Sequence, residues 1–200
     1  MVFKLAVGPM ACNCYIIGCE ITGEAVVVDP GADPDRIRAI LRRNALTGKF
    51  VINTHGHGDH IGANAALGLP VLIHRLDSAF LTDPAKNLSS SFFLRILSPK
   101  ASRLLEDDDK IECGRLLITV IHTHGHTPGG IALKTASAVF TGDTLFRGGV
   151  GRTDLPDGDE GALFKSIKEK LLVLDDDTIV YPGHGPDTTI GEERRNNPFL

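Results

Sequence analysis

Four apolar runs in this 200-residue chain stop abruptly at residues that bind metals well. VINT precedes His55, His57, Asp59 and His60; LLITVIHTHG precedes His126; AVFTG precedes Asp143; and TIVYPG precedes His184. A strand end fixed by its neighbours holds a side chain rigidly, and functional residues collect on loops carried by such scaffolds. Glycines at positions 56, 58, 125, 142, 183 and 185 let the backbone turn tightly around an ion at those ends.

Hydrophobic periodicity places the strands. The runs CYIIG, AVVVD, KFVINT, PVLIHR, LLITVIH, GIALKT, AVFTGD and DTIVYPG alternate with helical stretches near residues 35–46, 61–67, 78–81 and 161–172. The last stretch carries Leu163, Phe164, Ile167 and Leu171 on one face, the spacing of an amphipathic helix. The early strands read as hairpins and the helices are interspersed. That predicts an α/β sandwich of sheets covered by helices rather than a doubly wound parallel sheet. With 42% hydrophobic residues, 23% charged residues and no break in composition, one domain over residues 1–200 is expected.

Charge and cysteine usage narrow the setting. A net charge of −4 and a pI near 6.0 give no global attraction for nucleic acid or an anionic membrane surface. No apolar run approaches the roughly 18 residues of a membrane span, and the opening MVFKLAVGPMAC lacks a signal-peptide pattern. A soluble, cytoplasmic protein is expected. Cys12, Cys14, Cys19 and Cys113 form no Cys-x-x-Cys pair, which fits a reducing compartment. Cys12 and Cys14 would share one strand face, either as buried small hydrophobes or as metal ligands. The acidic runs at 107–109 and 175–177 read as solvated turns.

The ligand types suggest two ions. His55 and His57 lie two apart, so an extended segment can aim both at one ion, while Asp59 and His60 open the next helix and can serve a second. His126 and His184 supply a further terminal pair, and Asp143 can bridge through two carboxylate oxygens. Nitrogen and oxygen donors of this kind suit zinc, iron or manganese. Alternatives stay open residue by residue: Asp59 as a helix cap, His184 and Asp143 as turn formers. Asp29, which ends AVVVD, either orients a ligand histidine from behind or forms an Asp-Pro-Gly turn. His74 reads as an ordinary structural histidine.

THGHGDH resembles the T-H-x-H-x-D-H signature of the metallo-β-lactamase superfamily, and HTHGHTPGG, TGDTLF and PGHG resemble its later motifs in order. The resemblance implies a four-layer αββα sandwich with metals at one edge of the two sheets. VVVDPGAD, TGDTLFRGGVGRTDLPDGD and YPGHGPDTTIGEERRNNPFL are similar to the compact glyoxalase II type, the hydroxyacylglutathione hydrolases. It further implies that His55, His57 and His126 bind one metal, that Asp59, His60 and His184 bind the other, and that Asp143 bridges them.

Two positions depart from the pattern. The usual H-T-P-G-H has His124 in place of its proline, which makes His124 a competing ligand and His122 a neighbouring pocket candidate. The C-terminal helical domain of classical glyoxalase II, a source of glutathione contacts, is not expected within this sequence. Arg152, in GVGRTD, resembles a basic position that meets the glutathione moiety, against a structural pair with Asp154 or Asp157; Arg147 is a second candidate.

The function implied is thioester hydrolysis, with S-lactoylglutathione or a related acyl thiol attacked by a hydroxide bridging two divalent ions, most simply zinc. In that scheme Asp59 and Asp143 are the catalytic carboxylates. Persulfide dioxygenases also resemble the chain through the GRTD-like segment; they use a single iron held by two histidines and an aspartate. Hydrolysis of another ester or lactone, and non-catalytic metal binding, are further alternatives.

Overall fold

The computed structural model describes residues 1–200. Six strands form the first sheet: β1 (Val2–Val7), β2 (Cys12–Gly18), β3 (Glu24–Val28), β4 (Thr47–Ile52), β5 (Val71–His74) and β6 (Arg103–Leu105), side by side in sequence order. The second sheet holds β7 (Lys110–Cys113), β8 (Leu116–His122), β9 (Ile131–Lys134) and β10 (Ala138–Gly142). After the small hairpin of β11 (Leu145–Phe146) and β12 (Gly149–Val150), β13 (Ile179–Pro182) and β14 (Thr188–Thr189) complete it in the order β14-β13-β10-β9-β8-β7.

Alternation along the strands builds the layers. In β2, Tyr15 and Ile17 point between the sheets, where they meet Val26, Ile52, Ile118, Val120, Leu133 and Phe140. Cys12, Cys14 and Ile16 point the other way, under Ile37 and Leu41 of helix α1 (Pro34–Arg43). On the far face of the second sheet, Ala132, Val139 and Val180 pack under Leu163, Ile167, Leu171 and Ile190. Each buried aliphatic side chain contributes about 1.5–3 kcal/mol. The result is a helix–sheet–sheet–helix sandwich: the pattern of runs led to sheets covered by helices, and the superfamily resemblance to the four layers.

Differences from the expectation have local causes. Within the first sheet, hairpin pairing holds for β1, β2 and β3 alone; from β3 to β6 every pairing is parallel, with connections crossing over the outer face. The helix expected over 61–67 is two short turns, α2 (Gly58–Ile61) and α3 (Asn64–Leu67). Between them the chain passes against the 30–31 loop: the Ala63 N–H donates to the Pro30 carbonyl, and a Cβ on Gly62 would lie 2.3 Å from the Gly31 carbonyl oxygen. The stretch 161–172 begins as α4 (Glu160–Ser166), capped by Asp159 accepting the Ala162 N–H, and widens into a π turn over Ile167–Leu171. The residues near 78–81 belong to a 3₁₀ helix, Arg75–Leu81, whose N-cap His74 accepts the Leu76 N–H through Nδ1. A last helix, α5 (Ile190–Asn196), was not anticipated; Thr189 caps it by accepting the Glu192 N–H. No helix is long and apolar enough to cross a membrane.

Candidate metal centre

All four segments that carry the candidate ligands leave their strands at the same edge of the sandwich. His55, His57, Asp59 and His60 follow β4 of the first sheet; His126, Asp143 and His184 follow β8, β10 and β13 of the second. The residues therefore meet across the seam between the sheets. Asp59 lies inside the first turn of α2 and is not its cap, which is His57.

His55, His57 and His126 are all buried, and ligand nitrogens from the three lie within 4.8 Å of one another. Their rings stand nearly perpendicular, at 79° to 89°, with centroids 4.8 to 4.9 Å apart. His57 Nδ1 is 3.0 Å from His126 Nε2, a separation at which two lone pairs need a shared proton or a cation. Burial holds His55 well below its ordinary pKa, with the neighbouring histidines adding to the effect, and burial with His126 lowers His57 to about 3. Neutral imidazoles offer lone pairs to a metal.

Opposite stands a second set. Asp59 Oδ2 lies 3.3 Å from His184 Nε2 and 3.6 Å from His60 Nε2. Burial penalises the Asp59 carboxylate, but His60 and His184 outweigh it and hold the group below the usual carboxylate range. His60 shows the converse: burial disfavours its cation, yet Cys12, Asp59, Asp143 and Asp29 together raise its pKa. The surroundings of this set therefore favour positive charge.

Asp143 sits between the sets. Its Oδ2 is 3.7 Å from both His126 Nε2 and His184 Nε2, and its Oδ1 is 3.5 Å from His60 Nε2. Gly183 makes the room, since a Cβ there would fall 2.2 Å from Asp143 Oδ1 and 2.9 Å from His60 Cε1. Four buried atoms in this space lack any hydrogen-bond partner: His55 Nε2, His57 Nε2, His60 Nε2 and Asp143 Oδ1. Orphaned polar atoms at this density are costly in a folded protein, and divalent cations would satisfy them.

Behind these side chains lies a layer of orienting groups. Asp29 Oδ2 is 3.1 Å from His60 Nδ1, and Asp29 also accepts the Thr54 N–H at 2.7 Å and the Thr54 hydroxyl at 2.6 Å. Thr54 Oγ1 in turn is 3.2 Å from His55 Nδ1. His126 Nδ1 meets the backbone carbonyl of Arg152 at 2.7 Å. Buried Cys12 brings Sγ to 3.5 Å of His60 Nδ1, whereas Cys14 packs into the outer core.

Other sequence candidates lie elsewhere. His124 stays out of the cluster, its ring tilted 31° against His122 at 4.8 Å, and His122 stacks on buried His74 at 4.1 Å. The Arg152 guanidinium is exposed and grips Asp154 with two 2.8 Å hydrogen bonds, beside a cavity of about 270 Å³ walled by Val150, Leu163, Phe164 and Phe199. Arg147 is exposed at the turn between β11 and β12. The acidic runs are more engaged than solvated turns: Asp107 accepts the His122 N–H and pairs with Lys170, and Asp176 pairs with Arg194 and Arg195.

The family model for the metallo-beta-lactamase superfamily matches residues 7–184, spanning every segment of this centre. This chain belongs to the metallo-beta-lactamase superfamily. Within it, a Mycobacterium tuberculosis (strain ATCC 25618 / H37Rv) protein without an assigned function is 44% identical over 96% of this chain and 94% of its own length. Hydroxyacylglutathione hydrolase GloC of Haemophilus influenzae (strain ATCC 51907 / DSM 11121 / KW20 / Rd) is 37% identical over 94% of this chain and 92% of its own. Among solved structures, the BLEG-1 B3 metallo-beta-lactamase superposes with a TM-score of 0.94 at 39% identity, covering 100% of this chain and 99% of its own. TTHA1623 in a di-iron-bound form gives 0.88 at 40% identity, covering 99% and 100%. Metal binding is typical of the superfamily, and the donor set here fits it.

Proposed function

We propose that this chain is a binuclear metal-dependent thioester hydrolase acting on S-lactoylglutathione or a closely related acyl thiol, releasing the acid and the thiol. The observation that carries this reading is Asp143, whose two oxygens face His126 and His184 on one side and His60 on the other. His55, His57 and His126 would hold one ion, Asp59, His60 and His184 the second, with Asp143 between. The likeness to the Haemophilus hydroxyacylglutathione hydrolase supports the thioester class. Zinc suits the donor set, as do iron and manganese, and the likeness to a di-iron-bound structure keeps iron in view.

When bound, such ions lower the pKa of a coordinated water from 15.7 to about 7 and stabilise negative charge developing on a carbonyl oxygen. The chain's own residues do the positioning. Asp29 fixes His60 from behind, Thr54 stands at His55, and the Arg152 carbonyl sets His126, so each ring is held in one orientation. Asp59, acceptor-only when ionised, would orient the attacking water. A thiol with an ordinary pKa of about 8.5 leaves as thiolate, so no general acid is needed for the leaving group. The Arg152–Asp154 pair is exposed and therefore screened by water and salt, which lets a substrate carboxylate compete for Arg152; Arg147 on the neighbouring hairpin would add a second cation. A reducing cytoplasm suits the four free, buried thiols.

The test is turnover of S-lactoylglutathione by metal-replete protein in an oxygen electrode. Hydrolysis without oxygen uptake, abolished in Asp143→Ala, is expected. Oxygen consumption with glutathione persulfide and no thioester cleavage would replace this reading with a single-iron dioxygenase.

A further inference from the structure

Asp77, inside the 3₁₀ helix after β5, is fully buried and has no cationic side chain bonded to it. Its Oδ2 accepts the Gly56 N–H at 3.0 Å and the Thr127 hydroxyl at 2.8 Å; its Oδ1 accepts the Gly129 N–H at 2.6 Å. Gly56 lies between His55 and His57, and Thr127 follows His126. One carboxylate therefore joins the two loops, from opposite sheets, that carry the three-histidine set. Gly129 is shaped to it, because a Cβ at that position would lie 2.6 Å from both the Asp77 nitrogen and Oδ1.

The two ligand sets differ in charge. Asp59 gives the second set its own anion, whereas His55, His57 and His126 are neutral donors that share only Asp143. Burying a carboxylate without a counter-cation is expensive, and three hydrogen bonds offset only part of that cost. Burial indeed raises the Asp77 pKa despite those bonds. A cation on the histidines that Asp77 braces would complete the compensation.

We infer that Asp77 is a positioning residue that selectively tightens metal binding by the His55, His57 and His126 set, through its hydrogen bonds to Gly56 and Thr127 and its charge. This rests on the binuclear reading above. Partners of this kind are worth about 10- to 100-fold in metal affinity.

The test is release of metal from the loaded protein into graded concentrations of a chelator, read as metal per chain by mass spectrometry, with circular dichroism of each variant. Asp77→Asn is expected to release one of its two ions at about 10- to 100-fold lower chelator concentration, and the other as wild type does. Thr127→Val should shift the same step by less, and Thr127→Ser should restore it. His184→Ala, as a control, should shift the other step. Unchanged release from folded Asp77→Asn, even with a lowered melting temperature, would reduce Asp77 to a structural brace. Equal weakening of both ions would remove the selectivity. If wild type carries one ion, the binuclear reading fails by itself, and a shift of that ion's release in Asp77→Asn still reports on Asp77.

Discussion

Asp29 touches His60 Nδ1 at 3.1 Å with one carboxylate oxygen while the other accepts the Thr54 N–H at 2.7 Å, so the end of β3 orients both His60 and the loop that carries it. Asp29 adopts φ 48°, a left-handed conformation that asparagine also tolerates. Asp29→Asn is therefore expected to fold, yet its amide must turn a donor toward the Thr54 hydroxyl or His60 Nδ1. Metal affinity of the Asp59, His60 and His184 set should fall about 10- to 100-fold, measured by chelator competition.

At Gly183 the backbone runs close against Asp143 and His60. In Gly183→Ala the added methyl would meet Asp143 Oδ1 and His60 Cε1 and push the Asp143 carboxylate aside. A displacement of about 1 Å in a reacting centre costs on the order of 10²-fold in rate. Steady-state hydrolysis should fall by that order, and the overpacking should also lower the melting temperature of the metal-free protein.

Tyr15 secures the same loop from below. Its hydroxyl donates to the Pro182 carbonyl at 2.7 Å, and its ring meets Phe140 edge-on at a centroid distance of 5.1 Å. Tyr15→Phe keeps the ring and removes the donor, while Asn13 Nδ2 still reaches the same carbonyl at 2.9 Å. A loss of about 0.5–1.5 kcal/mol in urea unfolding is expected.

Acid sensitivity follows from His74 outside the centre and from His55 and His57 within it, and outweighs the opposite contribution of His60, whose pKa is raised. Burial, followed by the stacked His122, lowers His74 to about 4 from its ordinary 6.5. Below 6.5 the unfolded state binds the proton and the folded state does not, so stability is full above pH 6.5 and declines as pH falls toward 4. His55 and His57 are shifted in the same direction. Metal-free protein should melt at lower temperature at pH 5 than at pH 7. His74→Asn, whose side-chain oxygen can still cap Leu76, should narrow that difference in a thermal scan.

The strand-end histidines and Asp143 were legible because an apolar run followed by His, Asp and Gly has few structural explanations when it recurs four times. Asp59 gave two readings, cap or ligand, and its place inside α2, behind the N-cap His57, removes the first. Asp77 gave no signal: it lies in RLDSAF, an ordinary polar helix turn, and its partners Gly56, Thr127 and Gly129 are 21 to 52 residues away. The parallel pairing of β3 through β6 was hidden for a related reason. Strand runs reveal burial, while direction is set by crossovers whose helices are short or broken, as α2 and α3 are at the Pro30 contact. The exposed Arg152 carries its nearest structural link through a backbone carbonyl, which side-chain reasoning does not see.

The central claim is that one carboxylate, Asp143, joins two separate ion sites. Metal per chain, counted by mass spectrometry on metal-replete protein, tests it most directly. The account predicts two ions in wild type and one in each of His126→Ala and His184→Ala. One ion in wild type, retained in His184→Ala and lost in His126→Ala, would contradict it.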